Sequence, residues 1–407
     1  MKKLLVVLLS LTMVVGLVGC TKKVEAAQGV TDTEVLIGNC AATSGAFSAV
    51  GIPFIAGIEA YLKYVNDAGG VDGRKIRFVH QDDEFNAEKG LACVNTMLND
   101  EKIFAFVGHF GTPVVAATLD TLKEAGIPSV FFATGIGQLY AEKATDADQN
   151  RNIMPVQPIY INEGKIMVAR AKGDFGASKI GIIYTNDDAG KNMLQGAESQ
   201  AAIAGVTLVK AQVEPGQADV SAAVTTIINA NVDFIIGAAI QATIPIIVKE
   251  LANQNNTKSL ITTYVNVSPA ISESFVREIA GKFDVYGSGW VSLVGEPNLT
   301  NYQTYAANID AAYAANAYAM TGWIAAYFFV EGLKRMEGEV LTWKDYIDAM
   351  ESAPIKNPFG GEIDFGNGKR TGTQEMNLSK ATLNADTNVA GWTVVKPLAN
   401  IDTILGN

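Results

Sequence analysis

Basic residues nowhere cluster in this 407-residue chain, histidine occurs twice and cysteine three times. Without a Lys/Arg patch, and with a formal charge of −11, the chain has no electrostatic footprint for nucleic acid. His80 and His109 have no neighbours at metal-ligand spacing and no triad context. No G-x-G-x-x-G follows an expected strand, and Gly366-Asn367-Gly368-Lys369 lacks the P-loop frame, so no cofactor is expected. Asp82-Asp83-Glu84 are adjacent acids of the kind that form a solvated loop, not the opposed carboxylates of a glycosidase. A nucleophile–base set is missing, which argues against an enzyme. Past residue 18 the most apolar stretch, 323–330, is too short to span a bilayer and reads as a buried helix. With 48% apolar and 18% charged residues, what remains is an ordinary globule with ample core.

The N-terminus carries the strongest signal. Lys2 and Lys3 precede an apolar segment, 4–18, that is shorter than the ~20 residues of a spanning helix, so residues 1–19 read as a cleaved signal peptide. Leu17-Val18-Gly19-Cys20 resembles the bacterial lipobox. There the cysteine is lipid-modified and becomes the mature N-terminus; an ordinary secretory signal with an incidental Cys20 is the alternative. Residues 20–32 then form a polar tether, and loss of the leader takes the charge to −13. The protein is expected outside the cytoplasm, held by lipid to a bacterial membrane, at the outer face of the plasma membrane or in the periplasm. Cys40 and Cys93 can pair in such a compartment or remain buried thiols; the thiol reading is preferred.

From residue 34, short apolar runs alternate with longer amphipathic ones. Strands are expected at 35–38, 75–79, 103–107 and 128–132. The intervening helices include one with Ile55, Ile58, Leu62 and Val65 on one face and one capped by Asn86. After an irregular zone at 144–158 the rhythm restarts, with strands at 179–184, 208–213, 233–236 and 260–264 and an extended run at 281–291. Helices are expected over 302–335 and 343–350, and a hairpin around Asp364–Lys369. This is an α/β plan with parallel sheets, executed twice.

Val65-Asn66-Asp67-Ala68-Gly69-Gly70-Val71-Asp72-Gly73-Arg74-Lys75-Ile76 resembles the "N-x-x-GG-x-x-GRK-I" stretch of type I periplasmic solute-binding proteins of the leucine/isoleucine/valine family. Ser44-Gly45, Phe106-Val107-Gly108-His109, and Tyr318 with Gly322 agree in order and spacing. The resemblance implies two Rossmann-like lobes with parallel sheets, joined by three hinge crossings, with a small organic ligand held between them. The N-terminal lobe would comprise 33–154 plus 290–360 and the C-terminal lobe 155–289 plus 361–407. The implied partners are the ligand, ABC permease subunits and, through the lipid, the membrane. A sensory receptor without transport is the rival, and a secreted α/β enzyme a weaker one.

Thr112-Pro113 reads as an N-cap followed by Pro at the first helical position, at the carboxyl edge of a parallel sheet. The exposed amides there favour an anion. In the family, residues at the places of Thr112 and of Ala133-Thr134-Gly135 hold the ligand's carboxylate. Phe47 keeps the first-lobe cleft apolar and Val50 replaces an aromatic. In the second lobe the family's aromatics become Ala189 and Ile240, and the acid that meets an ammonium becomes Tyr264. Asp187 or Asp188 is left to supply negative charge, with helix capping as the competing role. The tyrosines 302, 305, 313 and 318 read as helix packing. These departures point to an apolar carboxylate or related small acid in place of a branched-chain amino acid, with an amino acid-like ligand the alternative should Asp187 or Asp188 reach in.

Overall fold

The computed structural model describes residues 25–145, 150–293 and 296–406. The leader and Cys20 lie outside them. The first lobe is built on five parallel strands, β1 (Glu34–Ala41), β2 (Lys75–Asp82), β3 (Ala105–Phe110), β4 (Ser129–Ala133) and β5 (Ile153–Met154), in the order β2-β1-β3-β4-β5. Every residue of β3 is buried, as expected of a strand covered by helices on both faces. Those helices are α1 (Ser48–Asp67), α2 (Ala87–Thr96) and α3 (Thr112–Ala125). By length and composition Gly45–Asp67 would also pass as a membrane span, which the apolar-run count missed; here it packs inside the lobe.

The second lobe begins with α4 (Tyr160–Gly173) and continues through β6 (Lys179–Thr185), α5 (Asp188–Ala204), β7 (Thr207–Val213), α6 (Ser221–Asn229), β8 (Phe234–Ala238), α7 (Ile244–Asn253), β9 (Leu260–Thr262), α8 (Pro269–Glu273) and β10 (Val285–Gly289). The chain then returns to the first lobe as α9 (Asn298–Ala307), α10 (Ala317–Lys334) and α11 (Trp343–Glu351). A small pair, β11 (Ile355–Lys356) with β12 (Glu362–Ile363), precedes the last passage. Finally β13 (Glu375–Leu383) and β14 (Ala390–Asn400), followed by α12 (Ile401–Leu405), complete a seven-stranded sheet ordered β14-β13-β10-β9-β8-β6-β7. β13 runs antiparallel to both β10 and β14.

Helix α10 is buried because it lies directly on α1: a Cβ on Gly322 would stand 1.9 Å from the Phe54 carbonyl, so only glycine permits that approach. In both sheets the strand order reverses beside the first strand of the lobe, between β1 and β3 and between β6 and β8. Such switch points open a crevice at the carboxyl ends of the strands.

Three expectations are corrected. Cys40 on β1 and Cys93 on α2 form a disulfide, with Cα atoms 6.1 Å apart. Packing α2 against the sheet brings them together, a contact that lies 53 residues apart in sequence. The helical run over 302–335 is two helices, because Asp310 and Asn316 each cap a new turn with their side chains. Asp364–Lys369 is not a hairpin: Asp364 accepts from the Gly366 amide at 2.8 Å and the segment closes as a 3₁₀ turn, while the long hairpin is β13–β14.

Candidate functional site

Loops from the carboxyl ends of both sheets enclose a cavity of about 110 Å³. The first lobe contributes Phe47, Val50 and Phe54 from the start of α1, Phe85 from the β2–α2 loop, Phe110-Gly111-Thr112, and Ala133. The second contributes Gln157, Tyr160, Ile240, Gln241, Tyr264, Val265 and Val267. Gly289-Trp290-Val291 lies at one crossing, and one face of α10, with Tyr318 and Thr321, closes the wall. No Asp, Glu, Lys, Arg or His lines this cavity among the described residues.

Thr112 is the first residue of α3, not its cap. Gly111 stands at the cap position with φ 94°, and no side chain caps the helix. A Cβ at Gly111 would stand 2.8 Å from the Phe85 ring, so glycine supplies both the left-handed turn and the space. The Thr112 hydroxyl instead shares a 2.8 Å hydrogen bond with the Thr134 hydroxyl. The Tyr160 hydroxyl joins these two; burial pushes it up to about 12, against the opposing effect of both threonines. The result is three neutral hydroxyls beside an uncapped helix N-terminus, whose dipole and first-turn amides favour an anion or a strong acceptor.

The remaining expected site residues divide by depth. Phe47, Val50, Thr112, Ala133, Ile240 and Tyr264 line the cavity. Thr134 sits just behind Thr112. Gly135 contributes its carbonyl to the Tyr160 amide at 2.7 Å, and a Cβ there would strike Pro158. Asp188 and Ala189 are not at the cavity: Asp188 is exposed on the first turn of α5 and Ala189 is buried beneath that helix. Asp187 is occupied as the cap of α5, accepting from the Gly190 amide at 2.9 Å and the Thr185 hydroxyl at 2.7 Å. The acid that does lie close behind the wall is Glu163 on α4. It is fully buried and is held by the Thr263 hydroxyl and by the Tyr264 amide at 2.9 Å.

Sequence reading missed Phe85, Phe110, Tyr160, Gln241 and Trp290, and assigned Tyr318 to packing only. Phe85 follows three acids that look like a solvated loop. In fact Asp83 is fully buried, burial pushes its carboxyl up to about 7, and its Oδ1 accepts from the Phe85 amide at 2.9 Å. Trp290 ends an extended run whose side-chain direction no periodicity fixes. The two histidines face away: His80 lies between Asn39 and Thr43, and His109 contacts Thr118 at 2.8 Å.

The aromatic rings form a continuous ladder. Phe47 stacks on Phe85 with centroids 3.8 Å apart, Phe85 meets Phe110 at 6.2 Å, and Phe110 meets Phe54 at 5.7 Å. From Phe54 the contacts run on to Phe131 at 6.0 Å, Trp290 at 6.4 Å, Tyr264 at 6.5 Å and Tyr160 at 6.1 Å. Two of these residues hold strained backbones. Phe85 has φ 61°, directly after Glu84 at 53°, and Phe131 has φ 63° inside β4. For a bulky side chain this is a true outlier costing ~1–3 kcal/mol, and such strain concentrates at functional sites.

Two α/β lobes joined by three chain crossings, with a cavity between them, define a bilobal solute-binding protein. The periplasmic binding protein family profile matches residues 34–387, and the chain belongs to that family, whose members are extracytoplasmic binding proteins and not enzymes. A Leu/Ile/Val-binding protein homologue of Brucella abortus is 21% identical over 277 residues, covering 66% of this chain and 71% of its own. Among solved structures, a fatty acid ABC transporter substrate-binding protein from Thermomonospora curvata superposes with a TM-score of 0.80 at 17% identity, covering 94% of this chain and 96% of that one. A branched-chain amino acid ABC transporter protein from Thermus thermophilus with bound valine also gives 0.80, at 16% identity, covering 93% and 100%. At these identities the superpositions establish the fold.

Proposed function

We propose that this protein is the ligand-capturing subunit of an ABC importer, anchored outside a bacterial cell through lipid on Cys20. Its ligand is a small carboxylate with an apolar body and no ammonium group. The lobes 33–154 plus 290–360 and 155–289 plus 361–407 move as bodies about the three crossings, and a permease reads the closed outline. The observation that carries the ligand assignment is the uncharged cavity beside the uncapped start of α3. A carboxylate there meets helix amides and hydroxyls. A buried ammonium would meet no paired anion, at a cost of several kcal/mol.

Relatives named for leucine, isoleucine and valine make those amino acids the competing ligands. A thermal-shift screen separates the two: 3-methylbutanoate and 4-methyl-2-oxopentanoate beside leucine, isoleucine and valine. A ligand at about a hundred times its dissociation constant stabilises by ~2.7 kcal/mol. Stabilisation by the amino acids and not by the acids would overturn the assignment. Thr112→Val is expected to weaken binding of the stabilising acid by ~1–3 kcal/mol, measured by calorimetry, because the acid and Thr134 both lose a hydroxyl partner. Unchanged affinity would place the acid end elsewhere. For the anchor, Cys20→Ser is expected to abolish radiolabelled palmitate incorporation and release the protein from membranes; a fully labelled variant would refute it.

A further inference from the structure

We infer that the body of the ligand is a planar ring: the site takes small monocyclic aromatic monocarboxylates in preference to saturated acids of the same size, and Phe85 sets that preference. The inference rests on the proposed acid end at α3 and adds the chemistry of the other end. Its basis is the ring ladder, which supplies the cavity with aromatic surface from both lobes, Phe47 and Phe85 on one arm and Tyr264 and Trp290 on the other. Ring faces and edges carry opposite partial charge, so a flat aromatic guest gains offset-stacked and edge-to-face contacts that a puckered ring of the same carbon count does not.

Size points the same way. An apolar cavity of ~150 Å³ holds benzene. At about 110 Å³ this cavity is smaller still, which limits the body of the guest to no more than a single small ring and excludes a long acyl chain.

Phe85 is singled out by how it is held. Its ring lies on Phe47 and over Gly111, next to the helix start. Its position is fixed by two successive left-handed residues and by the Asp83 carboxyl that accepts its amide. A loop under no selection for ring placement would relax to a less strained path. The second strained ring, Phe131, joins the two arms of the ladder between Phe54 and Trp290.

The test is calorimetric titration of the purified protein with benzoate, cyclohexanecarboxylate, benzyl alcohol and leucine, repeated on Phe85→Leu. Benzoate is expected to bind about tenfold more tightly than cyclohexanecarboxylate, the upper end of what aromatic contacts supply. Phe85→Leu is expected to lower that ratio at least about threefold, with Phe47, Tyr264 and Trp290 keeping the remainder, and an unchanged ratio would show that Phe85 does not set the preference. Should that variant fold poorly, the wild-type ratio alone decides. Cyclohexanecarboxylate binding as tightly as benzoate overturns the ring inference and leaves the acid reading standing. Benzyl alcohol binding without benzoate does the reverse. Leucine binding with neither ring acid bound overturns both. Failure of every ring compound to bind overturns the ring inference, and the acid reading is then decided by the screen with 3-methylbutanoate and 4-methyl-2-oxopentanoate.

Discussion

Removing the Cys40–Cys93 disulfide is expected to destabilise the protein by ~2–4 kcal/mol, with the chain-entropy treatment of a loop this long giving about 4. Both cysteines are fully buried, so a mild reductant acts slowly on the folded protein and the double variant Cys40→Ala/Cys93→Ala is the cleaner probe. Urea unfolding of that variant beside the wild type reads the loss directly. Alkylation of the unreduced, denatured wild type should leave both residues unmodified. Alkylation at both sites would mean that the thiols stay free, whatever the stability difference. The bridge has a local consequence too. It ties α2 to β1 at the base of the loop that carries Phe85, so the variant should also lose protection from amide exchange around residues 83–86 before the rest of the lobe does.

That bridge shows where sequence reading stops. Cys40 and Cys93 are each legible as buried positions, one on a strand and one on the inner side of a helix. Whether they meet depends on the azimuth at which α2 lies on the sheet, which periodicity does not encode. The strands and helices of both lobes were legible because burial on two faces leaves apolar runs, and because Asn86 and Asp187 mark helix starts by their own hydrogen bonds. β13 and β14 were not. β14 is an exposed edge strand over residues 393–397 and carries Pro397, so neither alternation nor apolar content betrays it.

Of the residues that line the cavity, Thr112 and Ala133 were legible because a place at or just past the end of a strand fixes a place at the sheet edge. Tyr160, Gln241 and Trp290 were not: Tyr160 opens a helix after an irregular zone, Gln241 stands beside the expected Ile240, and Trp290, though it directly follows β10, falls inside an extended run expected to reach 291. Asp188 and Ala189 failed for a related reason: counting residues past a strand does not reveal that α5 begins by turning its first residue to solvent. Phe85 was hidden by composition, since three successive acids look solvated until Asp83 is seen folded inward.

Stability is expected to fall with rising pH because of Glu163. Burial pushes its carboxyl up to about 8, more than the opposing bonds from Thr263 and the Tyr264 amide hold it down. In the unfolded chain it titrates near its ordinary value of 4.5. Below that value both states are protonated and Glu163 contributes no pH dependence. Between there and about 8 the unfolded state releases a proton that the folded state keeps, so stability drops by ~1.4 kcal/mol per pH unit. Above that range the full penalty of a buried carboxylate is present.

The ionisable groups set against Glu163 are the hydroxyls of Tyr160 and Tyr264, both pushed above the usual tyrosine range by burial and neutral throughout this window. Glu163→Gln copies the protonated form, with its amide oxygen accepting from the Tyr264 amide and its NH₂ donating to Thr263. Urea unfolding at pH 5, 6, 7 and 8 should therefore show the variant gaining on the wild type at each step, with the two nearly equal at the lowest pH. Parallel profiles would show that Glu163 is not the group responsible. The same substitution probes the cavity, because Tyr264 is both the wall of the site and the residue whose amide Glu163 holds. The proposed carboxylate would be bound without a counter-charge, so ionising Glu163 behind that wall would oppose it; affinity for such a ligand should weaken above pH 8 in the wild type and stay level in Glu163→Gln.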